Sequence, residues 1–335
     1  MSEVCLMLSG DSQGNMIMGF LNGKTVTLIG GSGFIGRALV ENLARAGGRI
    51  LVLGRNSERV KRMKPLGSVG QITAVAGDAT DEATLRTAIA PADIVINLVG
   101  ILSPSGRYDF ELMHASLPDK IAAIARDENV DKLIHFSALG ADLKSRSVYA
   151  RTKAEGERAV LRQFKKAIIL RPSVVFGPGD SFFNRFGQMA MIAPALPLIG
   201  GGKNKMQPVF VGDVADAVMT VLRPDFSGDQ IFELGGPRVY SFTELMQLTL
   251  KAVGRRRLLL PVPFPVMALP AFVAGFLPNP PLTLDQLELL KTDNVCRPKA
   301  SGFAELGLTP RAAEMIVSGY LAPFRPGGRF VAKRQ

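Results

Sequence analysis

The sequence predicts an α/β protein, with a doubly wound parallel sheet followed by a smaller, mixed C-terminal lobe. In the first half of the chain, short apolar runs typical of buried strands alternate with amphipathic helical patterns. Strands separated by helices form right-handed βαβ units and therefore a parallel sheet. A glycine-rich segment also lies directly between the first apolar run and the first helix. Together these features are typical of a Rossmann-type domain.

The predicted elements divide the chain into four segments. We expect a flexible leader over 1–23, the Rossmann-type domain over 24–172, a smaller lobe over 173–325 and a tail over 326–335. The lobe begins where Pro and Gly become frequent, and its segment 231–234 is a candidate to return to the main sheet. In the first domain, strands are predicted at 24–29, 49–53, 72–76, 93–98, 132–137 and 167–170. Helices are predicted from the glycine-rich segment to about 46, and at 58–63, 82–89, 110–128 and 147–164.

The composition is that of a globular protein and excludes several kinds of site. With 47% hydrophobic and 21% charged residues, the 335-residue chain can bury a large core and is not expected to be disordered. Two cysteines and two histidines are too few for a disulfide framework or a histidine-rich metal site, and they suit a reducing compartment. The net charge of +11 favours acidic partners such as phosphates or anionic lipids. Because the basic residues are dispersed and form no recognition motif, no nucleic-acid partner is expected.

One apolar stretch has the length of a membrane span. Residues 258–277 carry no charge over about twenty positions. Prolines interrupt the first part of the stretch, and the remaining 266–277 would extend only about 18 Å as a helix. No transmembrane helix is therefore expected. A buried segment of the second lobe is the favoured interpretation, and a docking surface for a membrane or a large partner is the alternative.

The glycine-rich segment predicts a site for a dinucleotide. Its residues are Gly30, Gly31, Ser32, Gly33, Phe34, Ile35 and Gly36. Strand, loop and helix follow one another in the required order, which makes the motif more specific than the glycines alone. The turn must bring backbone N–H groups close to a pyrophosphate, where a Cβ would collide. The N-terminus of the following helix adds partial positive charge.

Two arginines favour NADP(H) over NAD(H). The second strand is followed by Arg55, at a position where an NAD site usually carries Asp or Glu for the ribose 2′-hydroxyl. Arg55 suits a 2′-phosphate instead, and Arg37, next to the last glycine, can bind the same group. A charged hydrogen bond of this kind contributes about 1.5–3 kcal/mol. The alternative is that these arginines are solvated surface groups, as isolated arginines commonly are.

Further residues are expected around the same cofactor because of their place in the alternation of strands and helices. Asp78 and Ala79 follow the third strand, where an adenine would lie. Leu98, Val99 and Gly100 follow the fourth strand, where the chain passes beneath the cofactor. Taken alone, residues 78–79 and 98–100 are weak indications of a cofactor site. Their positions directly after predicted strands make the prediction more specific.

Tyr149 and Lys153 are the candidate catalytic residues. Their spacing of four places both side chains on one face of the predicted helix. In a reductase the lysine would lower the pKa of the tyrosine and bind the nicotinamide ribose, and the tyrosine would exchange a proton with a substrate oxygen. A surface Tyr–Lys pair without function is the alternative.

The glycine motif, Asp78, Tyr149 and Lys153 resemble the extended and atypical short-chain dehydrogenase/reductase superfamily, over residues 24–303. The resemblance implies a catalytic Ser or Thr near the end of the fifth strand. That position holds Leu139, which has no hydrogen-bonding group. Loss of one such donor typically costs about 10²–10³ in rate. Ser137, two residues earlier on the same face, is a poor substitute.

Several segments resemble a narrower family, the nucleotide-binding accessory subunits of respiratory complex I and their bacterial relatives. They begin at His135, Tyr149, Arg171, Phe182, Leu282 and Lys291. The resemblance implies a tightly held NADPH that is not turned over, with Ser137, Pro172 and Ser173 beside the cofactor. It also implies partners in the peripheral arm of complex I and a peripheral position at the membrane. Because the sequence starts without a presequence pattern, the inner face of a bacterial inner membrane is expected, or the matrix side in a mitochondrion.

Two other functions stay open. The first is an active NADP(H)-dependent reductase, dehydratase or epimerase for a small polar or sugar-like substrate, with Tyr149 as acid/base and Lys153 as its support. The second is a cofactor-sensing regulator or assembly factor, although such proteins often lack the tyrosine. No metal site is expected for any of the three.

Overall fold

The computed structural model describes residues 19–274, 280 and 282–328. The strands in chain order are β1 (Thr25–Ile29), β2 (Arg49–Gly54), β3 (Ile72–Ala76), β4 (Ile94–Asn97), β5 (Lys132–Phe136), β6 (Ile168–Pro172), β7 (Val175–Phe176), β8 (Ala195–Ile199), β9 (Lys205–Met206), β10 (Val209–Phe210), β11 (Ile231–Leu234), β12 (Tyr240–Ser241) and β13 (Leu258–Val262). The helices are α1 (Phe34–Arg45), α2 (Ser57–Lys61), α3 (Glu82–Ile89), α4 (Leu117–Asp127), α5 (Val148–Gln163), α6 (Phe183–Ile192), α7 (Val211–Leu222), α8 (Phe242–Ala252), α9 (Phe264–Ala274), α10 (Leu284–Leu289) and α11 (Ala313–Tyr320).

Seven parallel strands form the central sheet in the order β11-β6-β5-β4-β1-β2-β3. From β1 the chain moves outward to β2 and β3, and it then returns to β4 on the other side of β1. This reversal opens a crevice at the carboxyl ends of β1 and β4, where doubly wound sheets bind ligands. The predicted fold class is therefore confirmed, and segment 231–234 lies in the main sheet as its outer strand.

Each face of the sheet is covered by helices because the strands are apolar on both sides. In β1, Val26 and Leu28 face the core shared with α1 and α7, whereas Ile29 faces the core under α3, α4 and α5. All three side chains are fully buried. Burial on both faces is the reason why these strands appear as continuous apolar runs in the sequence.

The second lobe has its own core. Aromatic side chains from α6, α8 and β7 pack together there, with Phe176, Phe183 and Phe242 buried. Short two-stranded ladders, β7 with β10, β9 with β12 and β8 with β13, connect its segments. The lobe thus lies beyond the carboxyl ends of β6 and β11.

Two local expectations differ from the structure. The described end of the expected leader, residues 19–23, is packed rather than flexible, since Leu21 is buried and donates its N–H to Ala46. Its remainder, residues 1–18, lies outside the described residues, as does the tail from 329 on. The single helix predicted at 110–128 instead begins with a π-helical segment, Leu112–Ser116, that leads into α4.

The favoured interpretation of the apolar stretch after residue 257 is wrong. β13 and α9 replace the expected buried segment, and Val266, Leu269 and Val273 of α9 are each more than half exposed. Among the side chains of this helix that the structure describes, only Ala271 is buried, against Ile199 and Leu287, and residues 275–277 of the stretch lie outside the described residues. Among the described residues, no helix combines the length and apolar character needed to cross a bilayer.

Candidate dinucleotide-binding site

The glycine turn between β1 and α1 is shaped so that side chains cannot enter it. Gly30 has φ +78°, a left-handed conformation that glycine adopts without strain. A Cβ on Gly31 would lie 2.6 Å from Cβ of Leu28, and one on Gly36 would lie 2.0 Å from the carbonyl oxygen of Gly31. At Gly33 the nearest protein atom would be 3.4 Å away, so this glycine keeps open the space above the turn.

The N-terminus of α1 is free to bind an anion. Its capping position is Gly33, no side chain among the described residues caps its first turn, and the first turn contains no acidic residue. The first N–H groups of a helix need acceptors, and the helix dipole favours a negative one. An uncapped helix that follows a glycine turn therefore fits a pyrophosphate.

The two predicted arginines lie exposed near this turn. Within the described residues, neither Arg37 nor Arg55 forms an ion pair, and the guanidinium of Arg55 stacks on the ring of Tyr108, 4.5 Å from its centre. Gly54 beside Arg55 faces Ser32 of the turn, because a Cβ there would lie 3.2 Å from Oγ of Ser32. Both cations therefore keep donors available for a phosphate.

Asp78 has partners that the sequence analysis did not identify. Its carboxylate accepts a 2.6 Å hydrogen bond from the hydroxyl of Tyr108, a hydrogen bond from the backbone of Thr80 and an ion pair from Arg107. Burial opposes ionisation of Asp78, but these donors outweigh it and hold the pKa below its ordinary value. Arg107 and Tyr108 come from a loop after β4, and no spacing in the sequence relates them to Asp78.

The loop after β4 approaches the glycine turn closely. Leu98 donates its N–H to Ile29, and Val99 donates its N–H to Oδ1 of Asn97 at 3.0 Å. A Cβ on Gly30 would lie 3.0 Å from a methyl group of Val99. The structure therefore brings 98–100 and the glycine turn together, as the sequence analysis expects, while Ala79 lies half-buried after β3.

Lys153 reaches from α5 toward the loop that contains Gly100. Its Nζ donates to the carbonyl oxygen of Phe136 at 3.2 Å, and the ammonium is buried. A Cβ on Gly100 would lie 3.2 Å from Nζ. Burial lowers the pKa of Lys153 to about 8, with Glu157 acting in the opposite direction.

Tyr149 is half-buried one helical turn before Lys153. Burial and then the negative charge of Asp285 raise its pKa to about 12. The pair therefore has the predicted arrangement on one face of α5, but the electrostatic effect on the tyrosine is opposite to the one a proton donor in catalysis needs.

His114 is a further residue of this region that the sequence analysis did not assign. It lies in the π-helical segment before α4, and a π-bulge often marks a functional site. Its Nε2 accepts the N–H of Ile101 at 3.0 Å, and its ring packs nearly at right angles to the ring of Tyr149 with centres 5.1 Å apart. Burial and the charge of Lys153 lower the pKa of His114 to about 2, so the imidazole is neutral at physiological pH.

The end of β5 presents polar atoms without protein partners. Nε2 of His135 and Oγ of Ser137 are buried and accept or donate no hydrogen bond in the described structure. Nδ1 of His135 contacts Nδ2 of Asn97 at 3.1 Å, so the unpaired nitrogen is the one that carries the proton. Buried polar atoms are normally satisfied. These two atoms and the open glycine turn fit a bound group of the dinucleotide class.

Pro172 is the last residue of β6, and Leu139 and Ser173 lie just beyond the ends of β5 and β6. Leu139 is buried, and its N–H donates to the carbonyl oxygen of Pro172. The hydroxyl of Ser173 donates to Oδ1 of Asn294 at 2.6 Å. A hydroxyl that is already engaged by the C-terminal segment is less available to a cofactor than the sequence analysis expects.

Asp285 of α10 caps the helix that carries the Tyr–Lys pair. Its carboxylate accepts the N–H groups of Val148 and Tyr149 at 2.6 and 3.2 Å and the hydroxyl of Ser147 at 2.8 Å. The neighbouring Gln286 donates to the carbonyl oxygen of Leu102. The short helix α10 therefore joins the helix of Tyr149 to the loop after β4.

A polar cleft of about 650 Å³ opens between the loop after β5 and the segment after α10. It is lined by charged residues of both signs, among them Asp142, Arg146, Arg171 and Arg297. Ser147 belongs to its lining but Tyr149 does not. In the described part of the chain, no group of three His, Cys, Asp or Glu side chains converges as a metal site requires.

Residues 26–235 match the model of the NAD dependent epimerase/dehydratase family. The chain is 34% identical to NADH dehydrogenase (ubiquinone) 1 alpha subcomplex subunit 9 of Arabidopsis thaliana, over 92% of this chain and 80% of that protein. It is 31% identical to the protein of the same name from Mus musculus, over 88% and 79%. A solved epimerase of Methanothermobacter thermautotrophicus shares the fold, with a TM-score of 0.71 at 18% identity over 90% of this chain and 92% of that one. The chain therefore belongs to the NAD dependent epimerase/dehydratase family, a family of nicotinamide dinucleotide-binding proteins, and to the branch that contains these subunits.

Proposed function

We propose that the chain is an NADP(H)-binding accessory subunit of respiratory complex I that does not turn over a substrate. The observation that carries this proposal is an open dinucleotide cradle beside a Tyr149–Lys153 pair whose surroundings oppose catalysis. The similarity to relatives named as complex I subunits covers nearly the whole chain, which supports the same role here.

The choice of NADP(H) rests on charge. Within the described residues Arg37 and Arg55 have no ion-pair partner, and the residue directly after β2 is Arg55 rather than an acid that would bind a ribose 2′-hydroxyl. A 2′-phosphate would give these arginines an acceptor of matching geometry. Residues 30–36 would hold the pyrophosphate, and Lys153 the nicotinamide ribose. When bound, the nicotinamide supplies a hydride acceptor or donor.

The absence of turnover is argued from Tyr149 and Leu139. Because its pKa is raised to about 12, the hydroxyl of Tyr149 is a weaker acid than an ordinary phenol and stays protonated at neutral pH, so it is a poor proton donor and is not available as a base. The buried Leu139 occupies the position at which the superfamily has its hydroxyl, and it offers no donor to a substrate carbonyl. A weak proton donor at position 149 and the missing hydroxyl at position 139 together oppose the proton transfer and the carbonyl polarisation that a reductase of this fold needs.

The first test is to purify the chain without added nucleotide, denature it and identify any released dinucleotide by mass spectrometry. We expect NADPH or NADP⁺ at close to one equivalent, and equal retention by Tyr149→Phe. Release of NAD(H) alone would reject the NADP(H) assignment. A chain that neither carries nor binds either dinucleotide would reject the cofactor role.

Complex I membership is tested in the membranes of the source cell. A tagged chain should migrate with complex I on a native gel and should pull down peripheral-arm subunits. If source-cell membranes contain complex I with all its usual subunits but never contain this chain, membership is rejected.

We also propose that the chain lies peripherally at the membrane, on the inner face of a bacterial inner membrane or on the matrix side in a mitochondrion. Along the chain, Arg255, Arg256 and Arg257 are followed by β13, with exposed Leu258 and Leu260, and then by the exposed apolar side chains of α9. Apolar residues next to cations suit an anionic lipid surface. Sedimentation with vesicles of phosphatidylglycerol and phosphatidylcholine should fall for Leu269→Glu and stay unchanged for Met315→Glu, an equally exposed residue of α11. Equal binding by both variants would reject the α9 surface.

The second candidate function is an NADP(H)-dependent reductase, dehydratase or epimerase for a small polar or sugar-like substrate. The intact Tyr149–Lys153 pair and the neighbouring polar cleft favour it. If this function is correct, an activity found in the purified chain will be lost in Tyr149→Phe while the cofactor and the thermal midpoint are retained.

A further inference from the structure

A small hairpin after β4 folds back over the adenosine end of the candidate site. Ser105 and Tyr108 exchange backbone hydrogen bonds of 2.9 and 3.1 Å, which leaves Gly106 and Arg107 as a two-residue turn. Gly106 has φ +57°, as tight hairpin turns of this kind require. The turn fixes the backbone of Arg107 and Tyr108, so their side chains start from a defined place.

The side chains of the hairpin meet residues from the ends of β2 and β3. Tyr108 donates its hydroxyl to Asp78 at 2.6 Å, and Arg107 pairs with the same carboxylate. The guanidinium carbons of Arg55 and Arg107 lie 4.5 and 5.3 Å from the centre of the Tyr108 ring. Two guanidinium groups therefore lie against one aromatic ring, and the π electrons of the ring attract both positive charges.

The charges of this cluster are not balanced. Arg55 and Arg107 contribute two positive charges, and Asp78 contributes one negative charge. Among the described residues, no other acid pairs with either arginine. The side chain of Arg107 is 68% exposed, so it can turn on its anchored backbone at little cost in packing. A phosphate monoester, with a charge of about −1.5 to −2 at neutral pH, complements such a surplus.

We propose that Arg107 is a third arginine of the cofactor site and that, with Arg55, it binds the 2′-phosphate of an adenine dinucleotide. Tyr108 holds the two guanidinium groups in place, and the hairpin closes over the adenosine end. Arg107 donates to Asp78 in the structure and transfers at least one N–H to the phosphate when the ligand binds. This inference rests on the proposed binding of NADP(H).

The test compares Arg107→Ala with Arg126→Ala, a matched control whose arginine is exposed and paired with Asp127 away from the site. Dinucleotide-free protein is titrated with NADPH and NADH by their fluorescence, and with 2′,5′-ADP and 5′-AMP by calorimetry. We expect Arg107→Ala to bind NADPH and 2′,5′-ADP about tenfold or more weakly. Binding of NADH and 5′-AMP should change less than about twofold, and Arg126→Ala should match the unchanged protein.

A double-mutant cycle separates phosphate binding from mere neutralisation of Asp78. If Arg107 acts only by cancelling the charge of Asp78, Arg107→Ala has no effect in an Asp78→Asn background. We expect the loss of NADPH affinity to persist in that background. Its disappearance there, or equal losses for NADPH and NADH, would overturn the inference. Failure of the unchanged protein to bind NADPH would reject the proposed function, whereas normal binding by Arg107→Ala would reject only this inference.

Discussion

At the scale of single residues, the glycines of the turn have different tasks. Gly31 and Gly36 are required by the protein itself, because a Cβ at either position would collide with neighbouring protein atoms. Gly33 has no such conflict, and we propose that it is a glycine because a dinucleotide approaches the helix N-terminus there. On this proposal the same sequence motif contains residues that serve folding and a residue that serves binding.

Substitutions of Gly33 and Gly36 should separate these tasks. Gly33→Ala should leave the thermal midpoint of the cofactor-free protein unchanged and weaken dinucleotide binding about tenfold or more, because the new methyl group fills the open space above the turn. Gly36→Ala should lower the free energy of unfolding by about 1–3 kcal/mol through the collision with Gly31. Thermal scans with and without NADPH measure both effects. A Gly33→Ala variant that binds normally would contradict the position of the cradle.

Lys153 makes the stability of the cofactor-free protein depend on pH. Its pKa falls to about 8 in the folded chain, from an ordinary value near 10.5, so the unfolded chain binds more protons between these values. Relative to Lys153→Met, the unchanged protein should gain stability as the pH rises from 8 to 10, by up to about 1.4 kcal/mol per unit. Urea unfolding across this range tests the sign. A difference that is constant with pH would mean that the ammonium is well solvated.

At the scale of elements, α10 stabilises the N-terminus of α5, the helix that carries Tyr149 and Lys153. Ser147 caps α5 by accepting the N–H of Ala150, and Asp285, more than a hundred residues later in the chain, accepts the N–H groups of Val148 and Tyr149 in the same turn. The contact fixes the second lobe to the helix of Tyr149. It also places a negative charge near the tyrosine, which opposes ionisation of the hydroxyl.

Asp285→Ala should lower the free energy of unfolding by about 1–2 kcal/mol, because the N–H groups of Val148 and Tyr149 lose their acceptor and the N-terminus of α5 loses a negative charge. It should also lower the pKa of Tyr149, measured by phenolate absorbance against Tyr149→Phe. Asp81→Ala, which removes the local cap of α3, should cost about 1 kcal/mol and leave the tyrosine titration unchanged. If both variants shift the titration equally, the effect of Asp285 is a general loss of structure.

At the scale of the whole molecule, the candidate site is built from separate parts of the chain. The glycine turn follows β1, the arginines follow the glycine turn and β2, the hairpin follows β4, and the Tyr–Lys pair belongs to α5. A ligand that contacts all of them connects elements far apart in sequence. It should therefore stabilise the domain as a unit rather than one loop.

Removal of the cofactor should destabilise the whole Rossmann-type domain. NADPH restored at a hundredfold excess over its dissociation constant should raise the free energy of unfolding by about 2.7 kcal/mol. The increase should appear in thermal scans and as hydrogen-exchange protection in β1, β4 and α5, and Gly33→Ala should show much less of it. Protection confined to the glycine turn would contradict a cofactor that spans the crevice.

The sequence by itself determined the fold class, the order of strands and helices in the first domain, and the glycine turn that begins at Gly30 between β1 and α1. These follow from local rules, because apolar periodicity and glycine turns act over a few neighbouring residues. It also placed Tyr149 and Lys153 on one helical face, because their spacing of four matches the helix repeat.

Only the tertiary structure decided the surroundings of those residues. Asp285 at Tyr149, His114 at Ile101 and Arg107 at Asp78 are contacts between elements distant in sequence, and no local pattern encodes which loops meet. The exposure of α9 was likewise undetermined, because an apolar helix has the same sequence whether a lobe or an outside surface covers it. Charge, burial and pKa depend on all neighbours at once, and the neighbours are fixed only when the chain has folded.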